Sequence, residues 1–160
     1  DERRAIPLAE CREITKQKLD PAGIRTTVPA EKPPSGGGPA FTFALNDDMV
    51  RLIHDLRGAG RRIGILTNNV RELREWWWPL MDFEAVFDVI VDSHEVGMRK
   101  PNPAIYELTM DRLGATATRT AFLDDLEANV NAALALGMHG IHVGEDSTPA
   151  IAAARRLALV

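Results

Sequence analysis

Three short segments of the sequence carry side chains that could bind a phosphate group and a metal ion. Residues 65–69 end in a Thr and two Asn residues, residues 97–103 contain a Lys between Gly and Pro residues, and residues 122–125 end in two Asp residues. A hydroxyl and an ammonium donate hydrogen bonds to phosphate oxygens, and carboxylates are oxygen ligands of the kind that Mg²⁺ prefers. Together the segments predict a phosphate site beside a metal ion.

Apolar strands that alternate with helices are expected to position these segments. Compact apolar runs predict strands at residues 62–66, 86–91, 120–123 and 140–143, and the sequence pattern predicts helices from residue 47, over 103–113 and over 127–136. Thr67, Asn68 and Asn69 are expected to cap a further helix that reaches about residue 78. The alternation is typical of an α/β fold with a mostly parallel sheet covered on both faces. Because ligands bind beyond the carboxyl ends of such strands, the three segments can meet there.

The composition is that of a globular chain with one domain. The 160 residues include 45% hydrophobic and 26% charged residues, with a formal net charge of -4. There is no overall basic field to favour nucleic acid, so an anionic substrate would depend on local positive charge such as that of Lys100. The single cysteine, Cys11, excludes an intrachain disulfide and fits a reducing cytoplasm. No apolar run approaches the length of about 18 residues that would predict a membrane span.

The order and spacing of the three segments resemble the later motifs of the haloacid dehalogenase-like (HAD) hydrolase superfamily, in its phosphatase and haloacid-dehalogenase branch. The resemblance covers about residues 45–145. It implies a Rossmann-like three-layer α/β/α core and a Mg²⁺ ion. It also implies that Thr67, Asn68 and Lys100 bind the phosphate, that Lys100 and Asp125 are catalytic partners, and that Asp124 is the metal ligand.

The first motif of this family, Asp-x-Asp at the end of the first strand, has no match in the sequence. By the resemblance, that Asp would be the nucleophile, and its strand would lie between the strands that end at Thr67 and Asp124. The sequence therefore predicts a core over residues 45–160 that lacks its first strand. Apolar residues 24–28 or 42–45 are candidates to fill the gap.

Residues 1–44 are predicted to be a partial helical cap and a linker. A short amphipathic helix is expected at residues 7–19, with Leu and Ile side chains along one stripe. Pro and Gly residues between 32 and 39 predict a loop, because Pro lacks an N–H donor and Gly is too permissive to hold a helix.

Two classes of function stay open at this point. The motifs favour a Mg²⁺-dependent phosphatase that acts on a small phosphorylated metabolite through an aspartyl-phosphate, with the nucleophile outside this chain; 2-haloacid dehalogenation is the alternative chemistry. The second class is a catalytically incomplete HAD-like binding module. Trp76, Trp77 and Trp78 are then the candidate surface for a homo-oligomer or a protein partner. Successive residues of a helix point about 100° apart, so at least one of these Trp side chains should be exposed.

Overall fold

A computed structural model of the protein describes residues 19–20, 24–27 and 42–158. Its strands are β1 (Leu19–Asp20), β2 (Ile24–Thr27), β3 (Thr42–Leu45), β4 (Gly64–Thr67), β5 (Val89–Asp92), β6 (Ala121–Asp124) and β7 (His139–His142). Its α-helices are α1 (Asp47–Gly58), α2 (Arg71–Trp77), α3 (Phe83–Val86), α4 (Ser93–Val96), α5 (Pro103–Leu113), α6 (Glu127–Ala135) and α7 (Thr148–Ala158). The predicted loop at residues 32–39, and the predicted helix at 7–19 except its last residue, lie outside the described residues.

The described strands form three hydrogen-bonded groups. Strands β4 and β5 pair in parallel with Thr67 opposite Asp92, and β6 and β7 pair in parallel with Asp124 opposite His142. Strands β1, β2 and β3 form a separate antiparallel sheet. The prediction that residues 24–28 or 42–45 fill the strand gap is therefore wrong for the described residues, because β2 and β3 pair with each other and with neither β4 nor β6.

Helices cover both faces of the parallel strands, as the sequence predicts. Side chains alternate between the two faces of a strand, and consecutive residues of β4 accordingly belong to different clusters. Ile65 packs in a cluster with Ile53 of α1 and Phe83 of α3, whereas Leu66 packs in a cluster with Ile105 and other residues of α5. The expected α/β/α layering is thereby confirmed.

Helix α5 holds the two parallel strand pairs in a fixed relation. Its residues Ile105 and Tyr106 are fully buried in a cluster that also contains Leu66 of β4, Val91 of β5 and Phe122 of β6. The rings of Tyr106 and Phe122 meet edge to face with their centroids 5.1 Å apart. Because this apolar cluster contacts both pairs, the carboxyl ends of β4 and β6 face the same region.

The start of β5 and the presence of helix α7 differ from the sequence-based predictions. The strand expected over residues 86–91 begins only at Val89, because the helical turn α3 extends to Val86 and two residues connect it to the strand. Asp82 begins that turn, since its carboxylate accepts a hydrogen bond from the Ala85 N–H at 3.1 Å. Helix α7 was not predicted, because its buried contacts come from the small side chains of Ala150 and Ala154. Within the described part of the chain, no helix has the length and apolar character that crossing a bilayer requires.

The three consecutive Trp side chains have different environments. Trp77 is buried and its ring centroid lies 5.0 Å from that of Phe83, whereas Trp76 is 50% exposed. Trp78 is partly buried, and the Arg74 guanidinium lies 4.1 Å from the centroid of its ring. The expectation that at least one Trp is exposed is confirmed, while a partner at this surface stays a prediction.

Substituting Gly140 of β7 by Ala should lower the free energy of unfolding by about 1–3 kcal/mol. A Cβ atom at this position would lie 2.8 Å from Cγ of Leu134, 2.9 Å from Cγ1 of Val130 and 3.0 Å from the Val130 carbonyl oxygen. The main-chain contact cannot be relieved by a rotamer change. Urea denaturation measures the effect, with Gly58→Ala as the control because its added Cβ would meet no atom within 4 Å. Equal stability of the two variants would contradict the packing described for β7 and α6.

Candidate active site

A buried ammonium group joins the ends of strands β4 and β6. The Nζ atom of Lys100 donates to the Leu66 carbonyl oxygen at 2.8 Å and to Oδ2 of Asp124 at 2.7 Å. Lys100 is 4% exposed and Asp124 is fully buried. The same ammonium lies 5.6 Å from the centroid of the Phe122 ring. Leu66 directly precedes Thr67, so the structure brings together the strand end, the Lys and one Asp that the sequence singled out.

The loop that carries Lys100 is fixed at both ends by its local sequence. Gly97 ends α4 with φ of 68°, a left-handed conformation that glycine adopts without steric cost. Asn102 begins α5, since its side chain accepts a hydrogen bond from the Ala104 N–H at 3.0 Å. The Lys100–Pro101 peptide bond is cis. The end of α4 and the start of α5 therefore fix the position of Lys100 through main-chain and capping contacts. These contacts do not involve the Lys100 side chain.

Asn68 binds the main chain of Lys100 through both polar atoms of its side-chain amide. Its Nδ2 donates to the Lys100 carbonyl oxygen at 2.9 Å, and its Oδ1 accepts from the Lys100 N–H at 2.8 Å. The prediction that residues 67–69 cap the following helix is wrong: α2 follows Val70, which makes no side-chain cap hydrogen bond. Thr67 is buried at the end of β4. Contacts of Thr67 and Asn68 with a phosphate stay predictions.

Both carboxylate oxygens of Asp124 are already bonded within the protein. Oδ2 accepts from Lys100, and Oδ1 accepts from the Leu126 N–H at 2.8 Å and from Nδ2 of Asn129 at 2.9 Å. The ion pair that the structure shows joins Lys100 to Asp124. The sequence-based assignment of Asp125 as a partner of Lys100 stays a prediction. Over the described residues, no three His, Cys, Asp or Glu side chains cluster in a way that could hold a metal ion. The metal-ligand assignment of Asp124 stays a prediction, and these bonds weigh against it.

Tyr106 is a site residue that the sequence analysis missed. Its hydroxyl donates to the Asn129 carbonyl oxygen at 2.9 Å, and Asn129 in turn holds Asp124. Burial raises the pKa of the Tyr106 hydroxyl above its usual value, and the negative charge of Asp124 raises it further. The hydroxyl therefore remains a neutral donor. In the sequence, this role is indicated only by a side chain with a hydroxyl group among the residues on the buried face of α5.

Asp125 is more exposed than its neighbour Asp124. It is half-buried, directly follows β6, and its carbonyl oxygen is 3.0 Å from Nε2 of His142, the neighbour of Asp124 across the β6–β7 pair. Of the two consecutive carboxylates, the buried one therefore belongs to the Lys100 ion pair. The other lies nearer the solvent.

Comparison with known proteins places the chain in a family. Residues 40–137, more than half of the chain, match the family model of the haloacid dehalogenase-like hydrolases. The chain belongs to this family. A solved structure described as a predicted HAD-like family hydrolase from Porphyromonas gingivalis shares 27% sequence identity with it, at a TM-score of 0.63 over 73% of this chain and 60% of that chain.

Two curated relatives of this HAD-like chain extend well beyond the aligned region. It is 37% identical over 101 residues to acyl-CoA dehydrogenase family member 10 of Mus musculus, an alignment that covers 62% of this chain and 9% of that protein. It is 36% identical over 104 residues to the sesquiterpene phosphatase astK of Aspergillus oryzae, covering 61% of this chain and 50% of that protein. The chain thus spans half or less of the length of these relatives.

Proposed function

We propose that this chain forms the phosphate-binding part of a Mg²⁺-dependent HAD-like phosphatase that acts on a small phosphorylated metabolite. The observation that carries the proposal is the Lys100 ammonium, buried between the Leu66 carbonyl and Asp124 at the end of β4. A fixed positive charge in a water-poor site stabilises the charge that develops during phosphoryl transfer. The relative astK, described as a phosphatase, supports the same class of reaction.

Residues of this chain would bind and orient the phosphate in such a reaction. The Thr67 hydroxyl would donate to one phosphate oxygen, and Lys100 would neutralise negative charge on the phosphate. Asn68 would keep the main chain of Lys100 in place through its paired hydrogen bonds. The nucleophile would be an Asp carboxylate from outside this chain, which attacks phosphorus, expels the alcohol and forms an aspartyl-phosphate that water hydrolyses.

The oxygen donors at this edge of the strands fit Mg²⁺ through Asp125. In proteins, Mg²⁺ usually takes one or two carboxylates and completes its octahedron with waters and substrate phosphate oxygens. Asp124 is fully buried, whereas Asp125 is half-buried and more accessible to a hydrated ion, so Asp125 is the better candidate. When bound, the ion would supply charge neutralisation between nucleophile and phosphate.

The product of the full open reading frame should hydrolyse p-nitrophenyl phosphate in Mg²⁺, and EDTA should lower kcat/KM by at least about a hundredfold. Steady-state kinetics measure this decrease.

In the same assay, Lys100→Met should lower kcat by about 10²–10³-fold because it removes the fixed positive charge. The control is Arg155→Met, which removes a cation whose side chain is 45% exposed on α7. That variant should retain the wild-type rate.

Two other results would redirect the assignment. Metal-independent chloride release from 2-chloropropionate, without phosphatase activity, would indicate a 2-haloacid dehalogenase. Absence of both activities together with absence of Mg²⁺ binding would indicate a non-catalytic HAD-like binding module, and the exposed Trp76 would then be the first surface to mutate.

A further inference from the structure

Asp92 is a fully buried carboxylate that the proposed reaction does not use. It ends β5, and the β4–β5 register places it directly opposite Thr67. Its Oδ1 atom accepts from the His94 N–H at 3.2 Å and lies 2.7 Å from Nδ1 of His94. Its Oδ2 atom accepts from Nδ2 of Asn69 at 3.2 Å. A buried carboxylate is costly unless its oxygens are bonded, so these contacts hold it in one orientation.

The loop after β4 is bonded to the end of β5 at a second point. The N–H of Asn69 donates to Oγ of Ser93 at 2.9 Å, and the same hydroxyl donates back to the Asn69 carbonyl oxygen at 3.1 Å. The side chain and main chain of Asn69 are therefore both bonded to residues that follow one another in sequence, Asp92 and Ser93. On the other side of the loop, Asn68 is bonded to Lys100.

These contacts replace the local cap that the sequence led us to expect. Helix α2 starts after Val70 without a side-chain cap. The bonds of Asn69 and Asn68 instead reach partners 23–24 residues away for Asn69 and 32 residues away for Asn68. Capping of the short helix α4 accounts only for Oδ1 of Asp92. It does not account for the bond from Oδ2 to Asn69.

We propose that Asn69, Asp92 and Ser93 are positioning residues for the phosphate site. They hold the loop after β4 so that Thr67 faces the anion while Asn68 keeps the main chain of Lys100 in place. The inference rests on the proposed function, since it assigns these residues to the same phosphate site.

The sign of the Asp92→Asn effect separates positioning from simple electrostatics. Removing a negative charge near an anion site should strengthen anion binding through space. Loss of positioning should weaken it, because an Asn at 92 that still accepts from the His94 N–H would turn its own NH₂ group towards the NH₂ group of Asn69. We expect Asp92→Asn to weaken the binding of inorganic phosphate about tenfold, as is typical when a supporting contact of a site is removed.

Calorimetric titration of the folded chain with inorganic phosphate in Mg²⁺ tests this, with circular dichroism melts to confirm folding. Asn69→Ala should weaken phosphate binding to a similar extent. The double variant should bind phosphate no more weakly than either single variant, because both substitutions remove the same hydrogen bond between Asn69 and Asp92. Asp82→Asn is the matched control: it makes the same substitution at the N-cap of another short helix, α3, as Asp92→Asn makes at the N-cap of α4. It should bind phosphate as the wild type does.

Each outcome decides between the proposals. Wild-type binding together with equally tight or tighter binding by folded Asp92→Asn and Asn69→Ala would overturn the positioning role and leave the proposed function standing. If Asp92→Asn failed to fold, Asn69→Ala alone would decide in the same way. Absence of phosphate binding by the wild type would overturn the phosphate site itself, and the positioning role with it.

Discussion

Replacing Lys100 by Met should lower the free energy of unfolding by about 3–5 kcal/mol, because it leaves the buried Asp124 carboxylate without its counter-ion. The Leu66 carbonyl oxygen would lose a donor at the same time. The ion pair has only 3% and 1% of its two side chains exposed, so water cannot replace the missing ammonium without a rearrangement of the site. Urea denaturation followed by circular dichroism measures the change.

A surface ion pair provides the comparison for Lys100→Met. Arg155 and Asp55 are paired at 2.6 Å with about half of each side chain exposed, at 45% and 51%. Arg155→Met should therefore cost less than about 1 kcal/mol. The double variant Lys100→Met with Asp124→Asn should recover part of the loss, since no charge then remains buried. A loss for Lys100→Met as small as that for Arg155→Met would mean that the ammonium is not buried in solution.

The Lys100 contacts also bear on the gap between β4 and β6. In the described residues, each of these strands pairs with one neighbour, and they do not pair with each other. The ammonium spans the two strand ends by contacting a main-chain carbonyl of one and a carboxylate of the other. A strand with an Asp at its end would bring a second carboxylate to this ammonium. This is the physical basis for placing the proposed nucleophile there.

The convergence of Thr67, Lys100 and Asp124 could be predicted because it follows from the fold class. Parallel strands place their carboxyl ends at one edge, so polar residues just after apolar runs meet in space. Helix bounds such as Pro103–Leu113 were equally predictable from the sequence, since Pro at the first position and Gly114 after the last residue mark the two ends. These signals lie within a few residues of the element that they define.

Strand periodicity explains why Lys100 pairs with Asp124. Side chains alternate along β6, and Phe122 and Asp124 are buried while Leu123 and Asp125 are half-buried. Lys100 contacts both Phe122 and Asp124, which therefore share one face. Extending the alternation from Phe122 would have selected Asp124 from sequence alone.

The roles of Asn68 and Asn69 could not be predicted from local sequence. Asn residues before a helix are common caps, and nothing within several residues indicates another partner. The groups that bind them, the Lys100 main chain and the pair Asp92 and Ser93, are brought close only when β4 and β5 pair and the Lys100 loop closes over their ends. Long-range hydrogen bonds of this kind depend on register, which the apolar pattern does not fix to a single residue.

Asp124→Asn should mainly lower stability, whereas Asp125→Asn should mainly weaken Mg²⁺ binding. Asp124→Asn removes the counter-ion of Lys100 and should lower the free energy of unfolding by about 3–5 kcal/mol. Asp125→Asn should cost less stability, because its side chain is only half-buried. It should abolish Mg²⁺ binding, because an amide is a weaker ligand than a carboxylate for this ion. Isothermal titration with Mg²⁺ in the presence of inorganic phosphate, beside urea denaturation, measures both effects.

The two substitutions together decide which of the adjacent carboxylates holds the metal ion. Sequence order and family resemblance assign the ion to Asp124, whereas the bonds to both oxygens of Asp124 favour Asp125. The three bonds to Asp124 leave about one of its four lone-pair sites, on Oδ2 beside the Lys100 ammonium. Loss of Mg²⁺ binding in a folded Asp124→Asn variant, with binding retained in Asp125→Asn, would assign the ion to Asp124, as the family resemblance implies.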